Sequence, residues 1–388
     1  MIDQIEFQNF KCFRDLRLPI GSLTLLTGFN AAGKSTTLQS LLLLSQTLRM
    51  RIEGSELRLN GPLIRLGTPG DVINQDQATN EIDLGAATAG TNIKWTAKTI
   101  EGEGGRTLRV SKVRVGEATI AVAADTVLRN LLPEEFQSHD ATGIVSVIRD
   151  AIYVSASRRL DTDVFPAPEE PDPIRGDVGT YGEYATWWLH QYGDLDVHES
   201  RRERSSGANI NLRAQVAAWL GELFPGAEAN AVPISKTRLL RLELRTMPVG
   251  EWRSPANIGY GLSYAFPIVV AALCVRPQQL LIVDSPEAHL HPRGQSKMGR
   301  FLAQVAASGV QVIVETHSDH VLNGVRVAVK EGILPGTDAA VYFFGVAEPG
   351  KGRSPTALQI DSRGNVSSWP EGFFDQAEAD LASLAGWA

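Results

Sequence analysis

The chain has 388 residues, of which 43% are hydrophobic and 21% charged, and this composition excludes a disordered or fibrous protein. Its formal net charge of −7 excludes a broadly basic coat for nucleic acid, although not a local basic surface. Its two cysteines cannot form a disulfide framework, which favours a reducing, cytosolic setting. The N-terminus lacks a signal peptide, and the longest apolar stretch, 266–275, is about half of the ~20 residues that span a membrane. We therefore expect a cytoplasmic protein without a membrane segment.

The first predicted elements are two strands and a helix. Residues 5–13 mix apolar and polar side chains as a half-buried strand does, and 23–27 are typical of a buried strand. The leucine-rich run after Lys34 is apolar on almost every face, which predicts a helix buried beneath a sheet. Short alternating runs cut by glycines in 80–115 predict an antiparallel meander. The prolines and glycines of 161–180 predict a loop.

The rest of the chain returns from a mixed region to an α/β pattern. We expect helices within 181–224 and a strand with one solvated face over 234–244, where basic and apolar residues alternate. The core is therefore predicted to be split, with an inserted region between its halves. From 258 onward, the predicted elements are a helix (264–274), a strand (280–283), a helix (294–307) and a strand (310–314).

A glycine-rich segment, GFNAAGKS, fits the pattern G-x-x-x-x-G-K-[ST] and lies between a predicted strand and a predicted helix. Its glycines let backbone N–H groups surround phosphates, and the helix N-terminus adds the positive end of a dipole. Lys34 can reach the terminal phosphates, and the Ser35 hydroxyl can ligate Mg²⁺. The flanking elements disfavour a chance glycine-rich turn. The predicted nucleotide-binding residues here are Gly28, Asn30, Ala31, Ala32, Gly33, Lys34, Ser35 and Thr36.

Two further residues follow predicted buried strands. Asp284 ends the run LLIVD, where a second magnesium ligand is expected, although an ordinary acid at a strand end is the alternative. His317 follows the next strand, and a histidine there can hydrogen-bond a γ-phosphate or an attacking water. The other interpretation of a histidine, a satisfied structural residue, is preferred for His139, His190 and His198.

Five segments occur in a characteristic order: NFKCF, GFNAAGKST, NIGYGLS, LLIVDSPEAHLHP and VETHSDH. In this order they resemble ABC-type, AAA-like ATPases of the branch that contains SMC, RecF and overcoming-lysogenization-defect proteins. SSWPEGFFDQ at 367–376 resembles a short C-terminal domain of unknown function in one group of these ATPases. YVSASRR at 153–159 resembles a weaker family motif. The resemblance covers 1–75 and 255–388.

This resemblance implies the fold class and the domain organisation. The expected fold is an α/β ABC ATPase head, a mixed sheet with a P-loop and flanking helices, with an inserted α+β region and a short C-terminal extension. The predicted nucleotide-binding core is discontinuous, over 1–76 and 256–346. Residues 77–255 form the inserted β-meander and helical region, and 347–388 form the C-terminal extension.

The resemblance further implies a homodimer in the ATP state, arranged head to tail around two ATP molecules with Mg²⁺. Gly259, Gly261 and Ser263 would form the signature element that opens a helix towards the γ-phosphate of the opposing subunit. A tight turn with a serine helix cap is the alternative. His317 matches the switch histidine of ABC ATPases.

Two more histidines, His289 and His291, fall in a segment that usually lies along the dimer interface. A metal site is the sharper alternative for this pair, but no third ligand has a diagnostic spacing. The resemblance therefore places both residues near the nucleotide of the partner.

One position departs from the ABC pattern. These ATPases usually place a glutamate directly after the magnesium-site acid, where it orients the attacking water, and this chain has Ser285. A serine hydroxyl is a poor base at neutral pH. The nearby acids are Glu287 and Glu315, which with His317 are the predicted catalytic residues. We expect a slow ATPase or an ATP-gated switch.

Two functions are compatible with these motifs. The first is an ATPase in a DNA-linked process such as antiviral (phage) defence or genome maintenance. The alternative is a regulatory module that recruits a separately encoded effector, such as a nuclease, without binding DNA. The chain lacks the sustained heptads of a coiled-coil arm and, after His317, the acid cluster of a Toprim nuclease. The diverged signature and the insert disfavour an importer subunit.

Each function predicts a surface. DNA binding needs basic residues, which a solvated face would equally explain, because acids outnumber bases overall. Effector docking points to the aromatic residues of the tail, which would otherwise belong to its core. The basic candidates are Arg158, Arg159, the run 201–204, Lys236, Arg238, Arg241 and Arg245, and the aromatic candidates are Trp369, Phe373, Phe374 and Trp387.

Overall fold

The structure of the chain is a computed structural model, and it describes an α/β protein with two large sheets and a small one. Two residues named above, Arg159 and Trp387, lie outside the described part of the chain. The described residues are 1–50, 54–76, 79–102, 105–123, 126–158, 162–170, 172–204, 207, 209–346 and 353–385.

Strands form where side chains alternate between core and solvent, or where both faces are apolar. Most of the shortest strands come from the middle of the chain. Within the described residues the strands are β1 (Gln4–Phe10), β2 (Phe13–Pro19), β3 (Leu23–Gly28), β4 (Glu81–Ala87), β5 (Asn92–Gly102), β6 (Gly105–Val115), β7 (Ala118–Ala121), β8 (Ile152–Val154), β9 (Val164–Pro166), β10 (Glu228–Pro233), β11 (Leu239–Arg245), β12 (Leu280–Asp284), β13 (Gln311–Glu315), β14 (Ala339–Phe344) and β15 (Thr356–Gln359).

Most of the helices flank the sheets. No helix in the ranges given above is long and apolar enough to cross a membrane. The α-helices are α1 (Lys34–Arg49), α2 (Pro69–Val72), α3 (His139–Arg149), α4 (Ala185–Tyr192), α5 (Leu212–Leu223), α6 (Tyr260–Cys274), α7 (Pro292–Ala307), α8 (Asp319–Lys330) and α9 (Gln376–Leu384).

The central sheet has the order β15-β14-β3-β13-β12-β8, in which all neighbours are parallel except β15 and β14. Its inner strands are mostly apolar and are buried over almost their whole length, because both faces of the sheet are covered. The carboxyl ends of parallel strands meet at one edge of a sheet, where α/β proteins bind ligands. Gly28, Asp284 and Glu315 end three of these strands, and Asp284 lies opposite Glu315 in the register.

Two hydrophobic clusters hold the central sheet, one on each face. Successive side chains of a strand point to opposite faces, so that Leu281 and Val283 join one cluster while Leu280 and Ile282 join the other. The first cluster includes α6, α7 and α8, and the second includes the leucines of α1 and the antiparallel sheet. Burial of this apolar surface is the main favourable term in folding. It fixes the sheet edge on which the site is built.

The second large sheet is antiparallel, in the order β2-β1-β4-β5-β6-β7. It confirms the predicted meander and joins it to the N-terminal hairpin, since Phe7 of β1 pairs with Leu84 of β4. Strand β8, from the same predicted insert, pairs with β12 in the central sheet. The boundaries of both sheets therefore cross those of the predicted core and insert, and that division stays a prediction.

Two strand predictions were wrong in part. Residues 5–13 are not one strand, because the chain turns at Lys11, whose φ is 52°, and returns as β2. Residues 235–238 form a turn between β10 and β11, with a φ of 62° at Lys236. The predicted buried strand at 23–27 and the leucine-rich helix after it are confirmed as β3 and α1.

Arg201, which the sequence placed on a basic surface, is buried at 1% exposure. Its guanidinium donates hydrogen bonds to the carbonyl oxygens of Ala272 and Val275, at the end of α6, and to the Ser308 hydroxyl at 2.6 Å. Desolvation of the buried guanidinium lowers the pKa of Arg201 to about 10. Arg201 therefore ties together the ends of α6 and α7.

We predict that Arg201→Met lowers the free energy of unfolding by about 2–4 kcal/mol, because it leaves buried carbonyl groups without donors. Urea denaturation measures this change. The matched control is Arg204→Met, since Arg204 is exposed and lies 3.8 Å from Glu199 in an exposed ion pair. The control should move stability by less than about 1 kcal/mol, and equal losses in the two variants would contradict the structure.

Candidate active site

The loop between β3 and α1 has the bends that a phosphate cradle needs. Gly28 and Gly33 have φ angles of 128° and 113°, which other residues rarely adopt. A Cβ on Gly28 would lie 2.2 Å from the Phe344 carbonyl oxygen, so that position requires glycine. The Lys34 amine lies over the loop and donates to the carbonyl oxygens of Gly28 at 3.0 Å and Phe29 at 2.7 Å. Burial lowers the pKa of Lys34, and a phosphate anion beside it would favour the charged form.

The other predicted loop residues divide between the surface and the core. Asn30 and Ala31 are exposed at the apex, where Ala31 has a φ of 58°, while Ala32 is buried. The Thr36 hydroxyl accepts a weak bond from the Cys12 thiol at 3.8 Å. The β1–β2 turn therefore lies beside the phosphate loop. The sequence did not predict this contact of Cys12.

Oxygen atoms from three elements meet at the beginning of α1. The Ser35 hydroxyl donates to Glu315 Oε1 at 2.7 Å, and the Ser285 hydroxyl donates to Asp284 Oδ1 at 2.9 Å. Glu315 Oε2 is buried and has no hydrogen-bond partner in the described structure. A buried carboxylate oxygen without a partner, next to a hydroxyl and a second carboxylate, fits a hard cation such as Mg²⁺.

This donor set is small. Among the described residues no group of three or more His, Cys, Asp or Glu side chains could hold a metal ion. Mg²⁺ usually binds through one or two carboxylates together with substrate phosphates and water. Ser35 and Asp284 therefore stay predicted magnesium ligands, and such a site would need phosphate oxygens to be complete.

Glu315 is the most perturbed carboxyl group of this edge. It is 4% exposed, and burial, with the neighbouring charge of Asp284, raises its pKa to about 7. The Ser35 hydrogen bond and the positive charge of Lys34 oppose that shift. Near neutral pH the Glu315 carboxyl is therefore divided between its protonated and ionised forms.

Glu287 holds the segment that follows β13. Its carboxylate accepts hydrogen bonds from the Thr316 hydroxyl at 2.9 Å and from the His317 backbone N–H at 2.7 Å. Burial and the charge of Lys34 lower the pKa of His317, so its ring is neutral at pH 7. A neutral imidazole can donate one hydrogen bond and accept another. The three predicted catalytic residues thus lie at one edge, together with Asp284 and Lys34.

Family models match the two ends and the middle of the chain. Residues 1–87 match an AAA ATPase domain, and 189–323 match an AAA domain whose description adds an AbiEii toxin and a Type IV TA system. Residues 334–384 match a protein family of unknown function, DUF3696, at the position of the predicted C-terminal extension. No curated protein matches the chain.

Two solved SMC heads share the fold at low sequence identity. One, bound to the C-winged helix domain of ScpA, has a TM-score of 0.55 and 13% identity over 93% of this chain and 98% of that chain. The other, an Smc head with an extended coiled coil bound to the C-terminal domain of ScpA derived from Pyrococcus furiosus, has a TM-score of 0.52 and 12% identity over 99% of each chain. Two stretches of the chain therefore match AAA ATPase domains, and its fold is that of SMC heads. The predicted fold class is confirmed.

The predicted signature element is partly exposed. Gly259 caps α6, and among the described atoms none lies within 4 Å of the place a Cβ would occupy. The next residue, Tyr260, is 61% exposed. Gly261 instead packs inward, because a Cβ there would lie 2.6 Å from the His289 carbonyl oxygen. Ser263 is 1% exposed, so its hydroxyl does not reach the surface and cannot contact a partner's γ-phosphate in this conformation, contrary to the sequence prediction.

His289 and His291 are both exposed beside the signature element. The His289 ring lies 5.6 Å from the Tyr260 ring and 4.6 Å from the Tyr264 ring. His291 caps α7 and accepts a hydrogen bond at Nδ1 from the Arg293 N–H. These contacts give both histidines structural roles on an exposed face.

The C-terminal extension of this ATPase reaches the phosphate loop. Arg353 donates to the Ala31 carbonyl oxygen at 2.7 Å, although 322 positions separate the two residues in sequence. Phe373 is buried against Phe343, and Gly372 lies against the Phe29 ring. Sequence analysis missed Arg353. A cavity of about 250 Å³ between the loop and the extension is lined by Thr27, Gly28, Phe29, His317, Phe343, Gly372, Phe373, Phe374 and Asp375.

The aromatic residues of the C-terminal extension therefore divide between the two predicted roles, a docking surface and a core. Phe373 belongs to the core, and Phe374 packs against it. Trp369 is exposed by more than half and lies beside Arg326. A docking surface is compatible with Trp369 but not with Phe373.

The predicted basic surface loses two of its arginines. Arg158 and Arg201 are buried and donate to backbone carbonyl groups, so neither can contact DNA. Arg241 and Arg245 pair with Glu243 and Glu228 at 2.9 Å and 2.7 Å. Three predicted DNA-contacting residues remain without an ion pair between described side chains, namely Arg202, Lys236 and Arg238.

We predict that Glu315→Gln stabilises the metal-free chain at pH 8. The raised pKa means that ionisation of Glu315 costs stability as pH rises from about 4.5 to about 7, whereas glutamine never ionises. In EDTA the variant should be more stable by on the order of 1–3 kcal/mol at pH 8, and equally stable below about pH 4.5.

Chemical denaturation at several pH values measures this difference. Glu101→Gln serves as the control, because Glu101 is an exposed carboxylate. A wild-type chain at least as stable as Glu315→Gln at pH 8 would contradict the described burial of this carboxyl.

Proposed function

We propose that this chain binds Mg²⁺·ATP at the edge of the central sheet and hydrolyses it slowly. The observation that carries the proposal is the meeting of Ser35, Asp284 and Glu315 beside the phosphate loop. Backbone N–H groups of the loop and Lys34 would hold the phosphates. Ser35 and Asp284 would ligate Mg²⁺, which neutralises charge on the β- and γ-phosphate oxygens when bound.

In this proposal the carboxylate that orients the attacking water is that of Glu287. Its carboxylate is fixed by hydrogen bonds from Thr316 and from the His317 backbone, and each of its oxygens keeps acceptor capacity for a water. The neutral His317 ring would donate to the γ-phosphate. Glu315 would instead contribute negative charge next to Mg²⁺ and would not orient the water. Slow turnover would follow because the Ser285 hydroxyl, which donates a hydrogen bond to Asp284, is a poor base for the attacking water.

The same proposal includes a head-to-tail homodimer. Gly259 leaves open space at the beginning of α6, and a glycine that its own chain does not require suits close approach from outside. The N-terminus of α6 would face the γ-phosphate held by the partner. Tyr260, His289 and His291 are exposed beside it and would contact the partner.

Recruitment of a separate effector has more support than direct DNA contact. The extension touches the phosphate loop through Arg353 and Gly372, which contact Ala31 and Phe29, so a change in the loop would move the extension. The SMC heads with this fold are themselves bound to domains of ScpA, a protein partner. We therefore propose that the ATP state is transmitted through the extension to an effector protein. A DNA-linked process such as phage defence would then act through that effector.

We predict that Glu287→Gln lowers kcat by about 100-fold with little change in KM for ATP, because the variant loses the carboxylate that orients water. Glu315→Gln should instead raise the Mg²⁺ concentration needed for half-maximal turnover. Lys34→Ala, which removes the phosphate-binding amine, is the negative control. Steady-state phosphate release measures all three, and turnover unaffected by either glutamine variant would overturn these roles.

A further inference from the structure

Arg158 belongs to the YVSASRR segment, to which the proposed reaction has so far assigned no role. The segment begins within β8, which pairs with β12 in parallel register, so the described residues that follow Val154 lie beside Asp284. Arg158 is 1% exposed although it carries a charge. Burying a guanidinium is costly unless its donors are paired, so a specific use is expected.

The Arg158 guanidinium fixes the turn that follows β12. Nη1 donates to the Asp284 carbonyl oxygen at 2.8 Å, and Nη2 donates to the Ser285 carbonyl oxygen at 2.8 Å. Nη1 also donates to the Ser155 carbonyl oxygen, which closes the arginine back onto its own segment. Ser285 has a φ of 49°, a conformation that costs energy for a residue with a side chain and needs support.

Arg158 also contacts α6, the helix that begins at the predicted signature element. Its guanidinium carbon lies 5.3 Å from the centre of the Tyr264 ring, within the range of a cation–π contact. Tyr264 lies on α6, five residues after Gly259, and its ring packs edge-on against His289. One planar cation therefore touches both the turn beside the magnesium site and the helix that opens towards a second subunit.

These two contacts serve different nucleotides in a head-to-tail dimer. The turn at Asp284 belongs to the ATP bound by the same chain, whereas α6 faces the ATP bound by the partner. We infer that Arg158 is a positioning residue that couples the two ATP sites, by holding the Asp284–Ser285 turn and the Tyr264 ring at a fixed separation. This inference rests on the proposed ATPase dimer and adds to it a means of communication between its sites.

The coupling requires both the planar guanidinium of Arg158 and the aromatic ring of Tyr264. Lysine keeps the charge of Arg158 but cannot donate to two carbonyl groups in one plane. Leucine at position 264 removes the ring, whereas phenylalanine keeps it and loses only the hydroxyl. Arg175 is a matched control arginine, because its Nε also donates to a backbone carbonyl, that of Cys274 at 3.1 Å, and its guanidinium carbon lies 4.8 Å from the centre of the Tyr192 ring, at the other end of α6.

A double-mutant cycle on kcat and KM tests the inference. We expect Arg158→Lys and Tyr264→Leu each to lower kcat by about 10-fold while KM for ATP moves less than about 3-fold. The double variant should lose no more than the more severe single variant, because both changes break the same connection. Tyr264→Phe should recover most of the kcat lost in Tyr264→Leu, and Arg175→Lys should not lower kcat.

Several results would overturn the inference. Losses that multiply in the double variant would show that Arg158 and Tyr264 act independently. A higher KM with unchanged kcat in Arg158→Lys would show that Arg158 affects ATP binding and not the reaction step. If Arg158→Lys fails to fold, the pair Tyr264→Leu and Tyr264→Phe still decides, since equal kcat values in that pair would exclude a role for the ring. Absence of turnover in the wild-type chain would overturn the proposed function as well, whereas an active wild type with an additive cycle would overturn the coupling alone.

Discussion

Repulsion between carboxylates at one sheet edge is the constraint on which the rest of this structure depends. Asp284, Glu287 and Glu315 converge there because the strands before them are parallel and in register. Two cations oppose this negative charge from different sides, Lys34 on the phosphate loop and Arg158 behind the turn. Burial, together with the charge of Asp284, still raises the pKa of Glu315 to about 7, so Lys34 does not offset the cost of ionising this carboxyl. A divalent cation with a bound polyphosphate would complete the balance, and this is why the geometry favours Mg²⁺·ATP.

The same edge also gathers the segments that could report the state of the nucleotide. Arg353 of the extension donates to the apex of the phosphate loop, and Tyr264 of the signature helix lies against Arg158. Each contact joins residues far apart in the sequence, so neither arises from local folding alone. A shift of the loop would therefore displace the extension, and a shift of the Asp284 turn would displace α6. That arrangement suits a switch better than a rapid catalyst, in keeping with the serine at position 285.

Local patterns predicted the parts of the site that lie within one segment. The loop 28–35 and Asp284 followed from motif spacing and from the buried strands before them, since these features need only neighbouring residues. The burial of Arg158 was not predictable, because a charged residue in the sequence does not reveal which carbonyl groups its side chain will find. The burial of Ser263 depends on packing of α6, and the contact of Arg353 spans most of the chain. The apolar runs of the sequence likewise predicted α1 and β12. The alternation of basic and apolar residues over 234–244 did not predict the turn at Lys236, where a positive φ interrupts the strand.

The central claim is that Mg²⁺·ATP closes two copies of this chain head to tail around the carboxylate edge. The most direct measurement is the mass in solution of Glu287→Gln by multi-angle light scattering, since slowed hydrolysis should preserve the closed state. The account predicts a mass of 42.0 kDa without nucleotide and twice that value with saturating Mg²⁺·ATP. Adding Lys34→Ala to this variant should keep the mass at the lower value. A mass that stays at 42.0 kDa with Mg²⁺·ATP, or a dimer equally present without nucleotide, would contradict the account.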